Sequence, residues 1–134
     1  MREAIRLSLA KMRGNCGGPF GAVVVRQGKI VGRGWNRVTS ANDPTAHAEI
    51  MAIRGACKKL KTFRLDDCDL YASCEPCPMS LAAIYWARCQ KIITRAQAGT
   101  PRASRLTTIL FTVRRASRFR TGRFRWNNCC ARRR

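Results

Sequence analysis

The sequence predicts an α/β domain with helices on both faces of a mixed sheet, and three observations carry that prediction. A segment of helical period opens the chain, a β-hairpin follows it, and helix then alternates with strand through residue 94. Short β-branched runs bounded by Gly and Pro supply the strands, while Asp-Pro and Pro-Cys-Pro mark helix starts. No internal repeat interrupts the order.

Residues 2–13 read as a first helix ended by Gly14, with Ile5, Leu9 and Met12 spaced for one apolar face. The loop 14–19 leads into a strand over Phe20–Val25. Gln27-Gly28 is a turn, and Lys29–Asn36 is the returning strand of a hairpin. Asp43 suits an N-cap and Pro44 the first helical position, which places a second helix over Pro44–Leu60. Asp69–Ser73 reads as a strand, Cys77–Arg88 as a third helix, and Lys91–Thr94 as the start of another strand. Beyond Thr94 the periodicity fades, apart from 106–113 (LTTILFTV), which fits one strand.

With 134 residues the chain is long enough for one domain with a single core. No run reaches the ~18 apolar residues that span a bilayer, and Met1–Met12 alternates charge with apolar residues where a secretory signal would be continuously apolar. The eight cysteines are irregularly spaced beside a well-stocked apolar stretch, so a reduced, cytoplasmic protein is expected rather than a disulfide-stapled one. The net charge of +20 is unevenly distributed. Residues 1–92 hold 15 basic and all 7 acidic residues, whereas 93–134 hold 12 arginines, no lysine and no acid. That break defines two regions, a core over 1–93 and an arginine-rich tail over 94–134.

The chemistry-bearing stretch is 42–81. His47 and Glu49 stand at one helix start, Pro76-Cys77 stands at the next, and a strand lies between. Taken singly these signals are weak. A histidine near a helix start more often caps or faces solvent, and a Cys-x-x-Cys such as Cys74 and Cys77 is common. Their joint placement is specific: His-x-Glu followed by Pro-Cys-x-x-Cys is the pattern of zinc-dependent base deaminases. Zinc brings the pKa of bound water down from about 16 to about 7. A catalytic site takes three protein ligands and keeps one position open. His47 offers a nitrogen, Cys77 a thiolate favoured by the helix dipole, and Glu49 a carboxylate able to shuttle the water's proton.

On these residues the chain resembles the cytidine deaminase superfamily, and within it the guanine deaminases of bacteria. The resemblance rests on Gly17–Ala22 (GGPFGA), Asn42–Glu49 (NDPTAHAE), Ala52-Ile53-Arg54, Ala56-Cys57, Leu70–Met79 (LYASCEPCPM) and Ala83–Arg88 (AIYWAR), and covers about residues 3 to 93. The tRNA adenosine deaminases share DPTAHAEIMA and GWNR, whereas GGPFGA, SCEPCPM and IYWAR lean to the guanine branch. The resemblance implies a three-layer α-β-α fold, a Zn2+ cofactor held by His47 and Cys77, and Glu49 as proton shuttle. It further implies a purine substrate stacked on Phe20 and hydrogen-bonded by Asn36, a homodimer, and conversion of guanine to xanthine with release of ammonia. The alternatives are a tRNA adenosine deaminase, a deaminase-fold protein impaired in catalysis, and a basic nucleic-acid-binding protein. Phe20 also suits ordinary core packing, and Asn36 a turn before Arg37.

Two departures stand out. Ser80 occupies the position of the family's second cysteine ligand, and a neutral hydroxyl lacks the softness and charge of a thiolate. The further strand, acidic and aromatic residues and C-terminal helix with which the family continues are not recognisable after Ile93. The tail's composition fits translation in a wrong reading frame, an arm that pairs arginines with phosphates and stacks Phe119, Phe124 and Trp126 on bases, or a solvated extension.

Overall fold

The computed structural model describes residues 1–14 and 17–95, together with the backbone of 108–112. In chain order the elements are α1 (Arg2–Arg13), β1 (Gly21–Arg26), β2 (Lys29–Trp35), α2 (Val38–Ala41), α3 (Ala48–Leu60), β3 (Cys68–Ala72), α4 (Pro78–Trp86), β4 (Lys91–Arg95) and β5 (Thr108–Thr112). The sheet runs β2-β1-β3-β4-β5. Among the described residues only β3 and β4 pair in parallel; β1 is antiparallel to β2 and β3, and β5 is antiparallel to β4. β4 thus extends past residue 93, and β5 lies inside 106–113, in the arginine-rich part of the chain. The rest of the tail lies outside the described residues. No helix among the described residues is long and apolar enough to cross a membrane.

The β1–β2 hairpin closes through Gln27 (φ 48) and Gly28 (φ 74), the pair of left-handed residues that a two-residue turn requires to match strand twist. The alternation of β1 then splits its side chains between two layers. Val23 points to α1, where it packs with Ala4 and Leu7. Ala22 and Val24 point the other way and join Ala48, Ala52, Ala56, Leu70, Ala72, Ile84 and Ile92 in the main core between the sheet, α3 and α4. The three-layer α-β-α arrangement follows.

α1 rolls onto a different face from the one its larger apolar residues suggest. Ala4, Leu7 and Ser8 are buried, while Leu9 and Met12 are 44% and 43% exposed. Gly21 explains this. A Cβ there would run into the Ala4 carbonyl and the Ser8 amide, so the helix backbone itself sits on the sheet, and only its small face allows that approach. Glu3 pairs with Arg6 of its own helix at 2.7 Å and ties the helix to β2 through Arg33 at 3.2 Å. Chiefly through the hydrogen bond from Arg6, its carboxyl pKa is pulled down to about 2.

The second helix starts four residues later than the Asp-Pro signal suggests, at Ala48. Asp43 spends its side chain locally: Oδ1 accepts from the Thr45 amide at 2.8 Å and the Thr45 hydroxyl at 2.6 Å. That Asx turn competes with capping. His47 is extended (φ −69, ψ 156) and becomes the N-cap. The third helix similarly begins at Pro78 with Cys77 as N-cap and ends at Trp86, two residues before Arg88 turns left-handed (φ 63). The short α2 at 38–41 has no sequence signal strong enough to announce it.

α3 lies on β2 along a seam of small residues. Gly32 and Gly34 face Ala48, Ala52 and Ala56, which recur every four residues on one helix face. A Cβ at Gly34 would enter the space of the Ala48 carbonyl and the Ala52 amide, both backbone and unable to swing away. Gly34→Ala is therefore expected to cost about 3 kcal/mol by overpacking, read as a lower urea midpoint with an unchanged slope. An unshifted midpoint would show that α3 can move off the strand.

Candidate active site

Two helix N-termini meet beyond the carboxyl end of β3. His47 is the N-cap residue of α3 and Cys77 that of α4, and neither side chain makes a capping bond to the backbone of its helix. The freed side chains face each other instead, with Cys77 Sγ 3.4 Å from His47 Nδ1. Position in the sequence explains each. The Asx turn at 43–45 delivers His47 extended to the start of α3, and Pro78, fixed at the first helical position, leaves Cys77 just outside α4.

Glu49 lies in the first turn of α3 and is only 6% exposed. Burial raises its pKa above the ordinary carboxylate range; its own backbone amide, the Ser80 hydroxyl and the charge of His47 oppose the rise. A carboxyl shifted in that direction is better matched to carrying a proton near neutral pH. Ser80, fully buried in α4, donates its hydroxyl to Glu49 Oε2 at 2.9 Å. The Cys77 thiol in turn lies 3.6 Å from Ser80 Oγ. The hydrogen bond between Ser80 and Glu49 joins residues 31 apart in sequence and has no local signature.

The loop before β1 packs against the end of β2. Gly17 (φ 146) and Gly18 lie directly against Asn36: a Cβ on Gly17 would meet the Asn36 carbonyl, and one on Gly18 would stand 3.5 Å from its side-chain Cγ and 3.4 Å from the Phe20 ring. Phe20 and Asn36 are thereby neighbours, and the Asn36 amide bonds the Phe20 carbonyl at 3.1 Å. Phe20 is half-buried and also packs on the main core. Asn36 Oδ1 accepts from the Val38 amide at 3.1 Å, a turn role that holds the side chain in one orientation. Beside them, Lys11 Nζ and the Arg37 guanidinium lie 4.4 Å and 5.8 Å from the centre of the Trp35 ring. Sequence reasoning missed this cationic pair. It also missed Ser73, whose hydroxyl accepts the Gly21 amide at 3.0 Å and fastens the end of β3 to the start of β1.

The donors suit a metal in part. Two ligands of one tetrahedral zinc, a nitrogen and a thiolate, stand about 3.5 Å apart, close to the separation of His47 Nδ1 and Cys77 Sγ. The described residues contain no group of three His, Cys, Asp or Glu side chains able to hold a metal. The hydroxyl of Ser80 lies 3.6 Å from the Cys77 thiol.

Comparison with known proteins fits this geometry. The model of the cytidine and deoxycytidylate deaminase zinc-binding region matches residues 1–96. This chain belongs to that family. It is 54% identical over 97 residues to guanine deaminase of Bacillus subtilis (strain 168), an alignment spanning 72% of this chain and 62% of that one. It is 44% identical over 78 residues to the tRNA-specific adenosine deaminase of Aquifex aeolicus, covering 58% of this chain and 52% of the relative. The crystal structure of the B. subtilis guanine deaminase superimposes with a TM-score of 0.70 at 55% identity, over 71% of this chain and 60% of that one. A structure from work on A-to-I editing by tRNA:A34 deaminases gives 0.67 at 41% identity. The chain thus spans little more than half the length of the curated relatives it matches, and the likeness ends near the close of β4.

Thiol chemistry offers a direct check on the cluster. Cys68 and Cys89 are buried, and desolvation pushes their pKa values up to about 11 and about 12, which holds them as unreactive thiols. Cys57 and Cys77 are half-exposed. Iodoacetamide labelling mapped by peptide mass should modify Cys57 and Cys77 before Cys68 and Cys89. Saturating zinc should slow labelling at Cys77 roughly 10-fold or more without protecting Cys57; equal labelling of Cys77 with and without zinc would remove it as a ligand.

Proposed function

We propose that this deaminase-family chain hydrolyses the exocyclic amine of a purine base, guanine plus water giving xanthine plus ammonia, with His47 and Cys77 as metal ligands and Glu49 as the proton carrier. The observation that supports this most is the convergence of His47, Cys77 and buried Glu49 at two facing helix starts. A zinc ion held by His47 and Cys77 supplies the Lewis acidity that makes hydroxide available near neutral pH. Glu49 takes the proton from water, passes it to the ring nitrogen and then delivers one to the departing amine. Phe20 offers an aromatic face to the flat base. Asn36, its Oδ1 committed to Val38, turns its amide N–H donors to acceptors on the purine edge. We further take the protein to work in the cytoplasm, where its cysteines stay reduced, and as a homodimer.

A second reading, deamination of adenosine in tRNA, is favoured by the pairing of Lys11 and Arg37 around Trp35 next to Asn36, which would give a phosphate backbone a cationic rim. Ammonia release from guanine, adenine and tRNA, measured side by side in saturating zinc, separates the two; guanine should be the preferred substrate. Glu49→Gln should lower turnover by about 10²–10⁴-fold while leaving zinc binding intact. Turnover by the variant at the unmodified rate would take Glu49 out of the mechanism.

A further inference from the structure

The side chains at the two helix starts bond one another. Ser80 Oγ donates to Glu49 Oε2 at 2.9 Å, and the Cys77 thiol lies 3.6 Å from Ser80 Oγ and 3.4 Å from His47 Nδ1. Ser80 is fully buried and Glu49 6% exposed, so either would be costly to leave unpaired. Each supplies the other's partner. A helix start closed in this way does not depend on a metal to be folded, unlike a site whose buried ligands would otherwise face each other unsatisfied.

We infer that Ser80 makes this a reversible metal site: the chain folds and rests without zinc, with Glu49 held on Ser80, and takes zinc through His47 and Cys77 only when zinc is plentiful. The inference rests on the deaminase reading above and adds that metal supply gates it.

Three observations carry it. The third corner is a neutral hydroxyl, which offers zinc neither the charge nor the softness of a thiolate. No third imidazole, thiol or carboxylate of the described residues completes the group. Ser80 also has a competing occupation, because its proton is committed to Glu49. Zinc entering the site must ionise Cys77 and so break the thiol contact to Ser80. Ser80 is a positioning residue for Glu49 as well as a weak corner for the metal.

The experiment compares the full-length chain with Ser80→Cys and Ser80→Ala by titrating zinc against a chromophoric chelator, with thermal unfolding followed with and without EDTA. The unmodified chain should purify folded and zinc-poor, and its thermal midpoint should not move with EDTA. Ser80→Cys should bind zinc about 100-fold more tightly, as expected for restoring one strong ligand to a partly built centre, and its midpoint should fall when EDTA is added. Ser80→Ala should bind zinc as weakly as the unmodified chain. One zinc per unmodified chain that survives the chelator, or Ser80→Cys no tighter than Ser80, would overturn the inference. Should Ser80→Cys fail to fold, the zinc retained by the unmodified chain decides the matter alone. Zinc affinity is read without substrate. Inactivity toward guanine in saturating zinc would therefore sink the deaminase reading while leaving the account of the metal site standing, whereas full turnover in the presence of EDTA would sink the account of the metal site.

Discussion

The seam between β2 and α3 sets the position of everything in the site. Gly32 and Gly34 let the Ala48-Ala52-Ala56 face of the helix approach the strand until backbone meets backbone. Interiors are packed too densely for such a helix to slide, since each methyl has its own slot. The start of α3 is consequently registered against the end of β2, and with it His47 and Glu49 are registered against Asn36. The Ser73 clasp fastens the end of β3 to the same strand pair, which fixes where the chain leaves for Cys77. The two helix starts are delivered to one point by sheet geometry, with no direct bond needed between the helices.

What that point can do turns on a single atom. At position 80 the side chain ends in a neutral oxygen, and it donates its proton to the buried Glu49 carboxylate. A buried polar cluster is expensive when partly satisfied and stable when fully satisfied, so a metal proposed for this point would have to compete with the bond between Ser80 and Glu49. Family membership, shown over residues 1–96, speaks for the scaffold, whereas the serine at position 80 is a feature of this chain.

The electrostatic contrast along the chain follows the fold. Every acid falls within residues 1–92, and among them Glu3, Asp43, Asp66 and Asp67 pair with arginines at the surface while Glu49 is buried. The twelve arginines of 93–134 have no acid of their own segment to meet. Exposed pairs of this kind add little stability. Their value here is local: Glu3 links α1 to β2, and Asp67 links β3 to β1 through Arg26 at 2.6 Å.

The sequence by itself determined the fold class, the hairpin and the family to which the chain belongs. Those properties rest on local rules: period-2 and period-3.6 patterning, a turn that needs left-handed residues at Gln27 and Gly28, and Pro placed at a helix start. That His47, Glu49 and Cys77 stand at two helix starts was legible because Pro and the His-x-Glu and Pro-Cys spacings mark those starts. Tertiary structure alone decided which face of α1 is buried, because Gly21 makes backbone proximity outweigh the larger side chains at Leu9 and Met12. It also decided that Asp43 closes a turn rather than capping α3, since the Thr45 hydroxyl and amide reach it first. Above all it decided that Ser80 holds Glu49. That bond joins two helices through space, and no periodicity within either one encodes the meeting.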